Sequence, residues 1–166
     1  MTMSLTGLNN LQNSRKNTKK INDLVGLYEY AEAQNYDVYW YNLDLEDMES
    51  LSVMRVSDRK CFIAIDPYAF KSNADEFTKG IHEIAHCDTG SFYSEYATCD
   101  IRQKHENQAD KRAIQLCLSA KDLDEAVANG HTEMWDLAEC FGVTDDFMRK
   151  AVCWYTHGNL AAELYF

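Results

Sequence analysis

The stretch Ile81-His82-Glu83-Ile84-Ala85-His86-Cys87 decides how this 166-residue chain is organised. On a helix, His82 and His86 are four residues apart and project from one face, so their imidazoles can bind one tetrahedral metal ion. Glu83 flanks the pair without reaching the same point, and its carboxylate could take a proton from an attacking water molecule. The H-E-x-x-H pattern therefore predicts a metal site with a general base. Two histidines at this spacing could instead cap a helix or lie on a half-buried face, so a third ligand is decisive.

A third ligand is available in the next helical segment, predicted over Asp100–Leu118. Glu106 and Asp110 lie on or beside one face with Ala109 and Ala113, which are small enough to let a neighbouring helix come close. Glu106 can then reach the metal, and Asp110, one turn further on, can accept a hydrogen bond from the free ring N–H of a ligating histidine.

The alternative is that the segment KHENQADKR is only a solvated, salt-bridged helix face. An E-x-x-x-D element that follows H-E-x-x-H after a gap of nineteen residues is not expected to arise by chance. We therefore favour a metal site with three protein ligands, the number that catalytic zinc uses.

Other polar side chains lie close to the site in the sequence. Any of four could stabilise the oxyanion of a tetrahedral intermediate, and the sequence does not choose between them: Tyr93, Tyr96, Arg102 and His105. Cys87 follows a predicted ligand directly, so it points elsewhere and is predicted to belong to the core.

Composition narrows the classes of function. The chain is 46% hydrophobic and 12% aromatic, which is typical of a globular domain, and its net charge of −11 makes nucleic acid an unfavourable partner. No apolar run approaches the roughly 18 residues of a membrane span, and the N-terminus lacks a signal-peptide core. The six cysteines include no C-x-x-C pair and are expected to be reduced thiols. We expect a cytoplasmic protein that binds neither membrane nor nucleic acid directly.

The N-terminal half is predicted to form one helix and a small sheet. Apolar positions recur at helical spacing from Lys19 to Gln34. Three β-rich segments follow, at Asp37–Leu43, Leu51–Ser57 and Lys60–Asp66. A polar connection over 43–50 would join the first two strands, and Asp58-Arg59 would join the last two as a tight hairpin. The expected fold is α+β, with a three-stranded, mainly antiparallel sheet packed on a helical bundle.

The helix that carries the motif has clear boundary signals. Ser72 is a suitable N-cap, the helix is expected to run to about Cys87, and Gly90 suits the position just after its C-terminus. Gly80 costs about 1 kcal/mol of helix propensity relative to Ala, which a close contact with the sheet or with another helix would explain.

The chain is divided into a core over 1–118, with 1–18 as a flexible lead-in, and a C-terminal helical region over 119–166 that packs on it. Met134–Lys150 reads as a helix, a glycine-containing turn and a second helix, similar to a helix-turn-helix. From Asp122 to Asp146 there are eight acidic residues and no Lys or Arg. Since a DNA-reading helix needs positive charge at its N-terminus, a packing or protein-docking role is favoured.

HEIAH, followed by ENQAD within a helix, resembles the ImmA/IrrE metallopeptidases, a compact zincin family. Its members have been linked to cleavage of repressors that silence prophages, integrative elements or stress regulons. The resemblance covers about residues 60–118 well, including the strand that ends at Asp66 and the stretch FTKGIHEIAH, and the remainder loosely. Gly80-Ile81 departs from the Leu/Ala-type pair that is more frequent before the first histidine, a difference that we expect to affect packing only.

The resemblance implies a gluzincin-like site in a zincin-like fold. Zn²⁺ would be bound by His82, His86 and Glu106, with Glu83 as catalytic base and Asp110 as the partner of a ligating histidine. The implied function is a zinc endopeptidase that cleaves a helix-turn-helix transcriptional repressor of a prophage or mobile element, and so acts as an anti-repressor.

Three alternatives remain open. The zinc could serve only to hold two helices together in a binding module that sequesters the repressor without cutting it. The protein could also be a metal-dependent hydrolase of a non-protein substrate. Mn²⁺ or Co²⁺ could replace zinc on the same ligands.

Overall fold

The computed structural model describes residues 20–42 and 49–166. The predicted lead-in over 1–18 and most of the predicted connection over 43–50 lie outside these ranges. The described residues form an α+β fold, as expected, with six α-helices, one mixed sheet and a short 3₁₀ helix. In chain order the elements are α1 Leu24–Ala33, β1 Asp37–Trp40, β2 Ser50–Met54, β3 Cys61–Ile65, α2 Asn73–Thr89, α3 Cys99–Cys117, α4 Ala120–Ala128, α5 Met134–Phe141, α6 Asp145–His157 and the 3₁₀ helix Ala162–Leu164.

The sheet has the order β1-β3-β2. β2 and β3 pair antiparallel, with Ser52 opposite Ile63, whereas β1 pairs with β3 in parallel, with Val38 opposite Ile63. The expectation of a mainly antiparallel sheet is wrong for β1, because β2 lies on the far side of β3 and not beside β1. The alternation of apolar residues determines which face of a strand is buried. It does not determine which strand lies beside it in the sheet, because that depends on tertiary packing.

The predicted hairpin between β2 and β3 is present, but its connection spans residues 55–60, more than the predicted two. Arg55 N–H donates to the carbonyl of Lys60 across this turn. Arg59 lies in this turn with a φ of 59°, a left-handed conformation. At this end β2 stops at Met54 and β3 begins at Cys61, so both strands are shorter than predicted.

Helix α2 lies against the sheet and has the two boundary residues that the sequence predicts, although it continues to Thr89, two residues past Cys87. The Ser72 side chain accepts a hydrogen bond from the N–H of Asp75, and Gly90 ends the helix with a φ of 64°. A Cβ built on Gly80 would lie 3.2 Å from the methyl groups of Leu27. Gly80 therefore allows α1 to pack closely on α2, which is the kind of contact expected from its cost to the helix.

Helix α3 packs along α2, and its Ala109 and Ala113 are both fully buried. The C-terminal helices α4, α5 and α6 extend this layer, and α6 contacts α3. The N–H of Thr144 donates to Thr78 Oγ1 at 3.1 Å, which ties the start of α6 to α2. None of the helices described here is long and apolar enough to cross a membrane.

Candidate metal centre

Helices α2 and α3 bring three side chains with metal-binding atoms to one point. His82 and His86 project from α2 with their ring centroids 4.7 Å apart, and Glu106 faces them from α3. His82 Nε2 lies 3.0 Å from His86 Nε2 and 3.0 Å from Glu106 Oε2, and His86 Nε2 lies 3.5 Å from Glu106 Oε1. Two ligands at 2.0–2.2 Å from a tetrahedral ion are roughly 3.3–3.6 Å apart. The spacing of the three side chains is therefore close to that of one tetrahedral site.

The hydrogen bonds of the two histidines set which ring nitrogens are free. His82 Nδ1 lies 3.0 Å from Asp110 Oδ1, the contact that the sequence predicts, and His86 Nδ1 lies 2.8 Å from the carbonyl of Ser91. Because a carboxylate and a carbonyl are acceptors, each Nδ1 carries the hydrogen and each Nε2 of a neutral ring presents a lone pair. Two lone pairs and a carboxylate then converge on one point, which is an arrangement suited to a cation.

The pKa values of the cluster show the same preference for positive charge. Burial opposes protonation of His82, but hydrogen bonds with Asp110 and Glu106 raise its pKa to about 9. Hydrogen bonds with His82 and His86 lower the pKa of Glu106. Burial favours the neutral form of Asp110, yet hydrogen bonds with His82 and Lys150 hold its pKa below the usual value. The carboxylates of Glu106 and Asp110 thus stay ionised, and they stabilise a proton on His82. A metal ion at the same point would supply the positive charge in place of that proton.

Glu83 lies beside this centre in a cleft of about 390 Å³ that is also lined by His82, His86 and Glu106. Its side chain is buried, and its Oε1 accepts a hydrogen bond from Ser50 Oγ at 2.8 Å. Ser50 begins β2, an edge strand of the sheet, and β2 residues form one wall of the cleft. A carboxylate, a metal-binding group and a strand edge therefore share one cleft.

A second cavity, of about 700 Å³, lies on the side of α6 and shares His82 and Glu106 with the cleft. Lys150 of α6 reaches the centre from this side, with its Nζ donating to Asp110 Oδ2 at 2.6 Å. Asp110 is thereby held between His82 and Lys150, with one carboxylate oxygen for each.

The structure separates the four candidates for oxyanion stabilisation. Tyr93 lies in the cleft and donates to Glu106 Oε1 at 2.7 Å, a bond that raises its pKa to about 12. Tyr96 is 87% exposed. Arg102 donates to the carbonyls of Glu95 and Ala97 in the preceding loop. His105 lines neither cavity, and its Nδ1 is buried without a hydrogen-bond partner among the described residues. Tyr93 is the one of these four that faces the cleft.

Sequence reasoning missed three residues that hydrogen-bond to side chains of the predicted site: Ser50, Ser91 and Lys150. Ser50 and Lys150 are 33 and 40 residues away from the carboxylates that they contact, so no local pattern indicates either contact. Ser91 follows the glycine that ends α2, where the returning chain passes His86. That position is the one signal in the sequence that could have identified it.

His82, His86 and Glu106 form a group that could hold a metal ion. A scan against models of protein families, a search of curated proteins and a search of solved structures found no match to this chain.

Proposed function

We propose that this chain is a zinc-dependent endopeptidase. The observation that carries the proposal is the convergence of His82, His86 and Glu106 on one point beside the buried carboxylate of Glu83. All four side chains line a cleft bordered by the edge strand β2. A hydrolytic centre beside a strand at the end of the sheet suits an extended polypeptide, which can add to the sheet through backbone hydrogen bonds.

The number of ligands supports a catalytic site over a structural one. Structural zinc is closed by four protein ligands, whereas catalytic zinc uses three and leaves one position for water or substrate. The group found among the described residues has three side chains, two imidazoles and one carboxylate. Zinc suits this set of ligands, and Mn²⁺ or Co²⁺ are the competitors to test.

The roles of the side chains follow from their positions. Zinc held by His82, His86 and Glu106 would polarise the substrate carbonyl and make water nucleophilic near neutral pH. Glu83 accepts the proton of the attacking water and returns it to the leaving amine, and Ser50 fixes the orientation of its carboxylate. The Tyr93 hydroxyl lies in the same cleft; its one hydrogen is donated to Glu106 in this structure, and in the reaction it would turn from Glu106 to the developing oxyanion.

The substrate class that we propose comes from the resemblance of residues 60–118 to the ImmA/IrrE peptidases. The substrate is a helix-turn-helix transcriptional repressor of a prophage or integrative element, and its cleavage makes this protein an anti-repressor. In this proposal the fold is zincin-like, and the helix-turn-helix-like pair formed by α5 and α6 packs on the core or docks a protein. The eight acidic residues over 122–146 support protein contact over DNA contact.

Replacing the proposed base tests the function directly. Glu83→Gln should retain about one zinc per chain but lose at least about 100-fold in the rate of cleavage of the repressor, since general base catalysis typically contributes 10²–10⁴-fold. Metal content and single-turnover cleavage measure the two effects. Glu125→Gln, which removes an exposed carboxylate of α4, is the matched control and should change neither.

The outcome also separates cleavage from sequestration. If Glu83→Gln cut the repressor at the normal rate, Glu83 would not be the base. If Glu83→Gln relieved repression as well as the natural protein does, the chain would act by binding the repressor, with zinc holding α2 and α3 together.

A further inference from the structure

The cavity on the α6 side of the metal centre is placed to receive part of a substrate. It encloses about 700 Å³ and is lined by His82, Glu106 and Asp110 from the centre and by Phe147 and Arg149 from α6. It shares Lys79, His82 and Glu106 with the cleft beside β2. A chain that lies along β2 and crosses the metal centre therefore meets this cavity next.

Three cationic side chains line the cavity, and two of them are already paired. Lys79 contacts Glu49 at 3.1 Å, and Lys150 contacts Asp110 at 2.6 Å. Arg149 makes no hydrogen bond or ion pair with the part of the chain that the structure describes, and its Nε atom is buried. The Nε atom is closed to the cavity, but Arg149 lines it and carries a charge that no carboxylate of the described residues neutralises, so an anion that reaches the rest of the guanidinium would be favourable there.

The carboxylates of the cavity do not fill this role. Five carboxylates line the cavity, and none forms an ion pair with Arg149 among the described residues: Asp75, Glu106, Asp110, Asp146 and Glu163. Glu106 and Asp110 are engaged by His82, Asp75 accepts from the N–H of Lys71, and Asp146 and Glu163 are exposed to solvent. Exposed carboxylates are hydrated and screened by salt, so they compete weakly with an anion that enters the cavity. Phe147 supplies a buried apolar surface on the same wall of α6.

We propose that this cavity is a carboxylate subsite of the substrate and that Arg149 is its receptor. The proposal rests on the peptidase function proposed above and adds a specificity to it. The planar guanidinium matches a carboxylate through two parallel N–H donors, which an amide of the same shape cannot accept equally well. The carboxylate belongs either to an Asp or Glu side chain next to the cut bond or to the C-terminus of the substrate.

Three matched hydroxamates test the subsite with the full-length, zinc-loaded protein. Each joins a malonyl hydroxamate, which binds zinc, to one amino acid: glutamate amide, glutamine amide, or glutamine with a free α-carboxylate. One of the two carboxylate compounds should bind about tenfold more tightly than glutamine amide, because hydrogen bonds between charged groups exceed neutral ones by this order. Tighter binding of glutamate amide assigns the subsite to an acidic side chain, and tighter binding of the free α-carboxylate assigns it to a chain terminus.

Arg149→Met should abolish this discrimination and leave the affinity for glutamine amide unchanged, while Arg149→Lys should retain part of it. Lys121→Met removes one positive charge from an exposed position on α4 and should alter neither affinity. Equal binding of all three compounds to the natural protein would overturn the carboxylate subsite and leave the metal centre intact. Failure of all three to bind in a zinc-dependent way would overturn the metal centre, and the subsite with it.

Discussion

Two polar clusters join α2 to α3, and they differ in how their charges are balanced. In the first, the buried carboxylate of Asp88 accepts hydrogen bonds from the hydroxyls of Tyr30 and Tyr36, each at 2.9 Å. Arg112 of α3 donates to the same carboxylate at 2.6 and 2.7 Å. One anion, one cation and two hydroxyl donors satisfy each other, so this cluster needs no ligand.

The second cluster, formed by His82, His86, Glu106 and Asp110, has too many acceptors. Its two Nε2 atoms and the Glu106 carboxylate face each other, and a proton on His82 or a metal ion must balance them. It also opens on a cleft and a cavity, whereas the Asp88 side chain is 7% exposed. Both clusters are polar and lie between helices. The charges of the first cluster balance each other, as in a structural contact, whereas the second cluster needs an added positive charge, as a cation-binding site does.

The largest expected effect follows from removing a ligand from the second cluster. His86→Ala should weaken zinc binding by roughly 100-fold or more, because structural zinc sites bind with about 10–16 kcal/mol shared among four ligands, or about 3–4 kcal/mol for each. Zinc should raise the unfolding temperature of the natural protein, by mass action on the folded state, and should not raise that of His86→Ala. Calorimetry with and without zinc measures this.

His131→Ala provides the matched control, because it removes a histidine that pairs with Asp136 outside the centre. Its zinc-dependent shift should equal that of the natural protein. If zinc raised the unfolding temperature of His86→Ala as much as that of the natural protein, the second cluster would not be the zinc site. The difference in charge balance between the two clusters would then not indicate metal binding.

A smaller effect, on stability alone, is expected from the first cluster. Asp88→Asn keeps the shape of the side chain but leaves Arg112 without a charged partner and weakens two tyrosine hydrogen bonds. Breaking a buried pair costs 3–5 kcal/mol, and because Arg112 is about one-third exposed we expect about 2–3 kcal/mol. Urea unfolding of the metal-free protein measures the loss.

Asp58→Asn is the control for this change, since the Asp58–Arg55 pair lies on the surface and exposed pairs contribute roughly 0–1 kcal/mol. Zinc affinity should be the same in both variants. If Asp88→Asn lowered zinc affinity as strongly as it lowers stability, the two clusters would act as one unit.

The parts of the site that could be predicted from the sequence depend on neighbours along the chain. The spacing of His82 and His86 places them on one face of α2, and Ser72 and Gly90 mark its ends, because helix geometry and capping involve residues within a few positions. Glu106 lies on another helix, yet Ala109 and Ala113 indicate the face of α3 that packs closely, and the structure brings these elements together.

The parts that could not be predicted depend on packing between distant segments. The parallel pairing of β1 depends on which side of β3 receives β2, and the residues do not encode this choice locally. Arg102 lies close to the site in sequence but bonds to the loop that precedes α3, whereas Lys150, 40 residues from Asp110, reaches Asp110. Proximity along the chain is therefore a weak guide to the outer contacts of the site.

The smallest expected effect tests whether α6 takes part in the second cluster. Lys150 Nζ donates to Asp110 Oδ2, which leaves Asp110 Oδ1 facing His82 Nδ1. Lys150→Met should free the carboxylate to rotate and weaken zinc binding about threefold, less than the 10–100-fold typical for direct partners of a ligand. Competition with a chelator measures the affinity, and Lys150→Arg should restore most of it.

A double-mutant cycle shows whether Lys150 acts through Asp110. In an Asp110→Asn background, Lys150→Met should have no further effect on zinc affinity, since the carboxylate that it orients is gone. Independent losses would mean that Lys150 only docks α6 on α3. If Lys150→Met alone bound zinc more tightly, the positive charge of Lys150 would weaken zinc binding more than its hydrogen bond to Asp110 strengthens it. The contact from α6 would then lower the affinity of the second cluster for zinc.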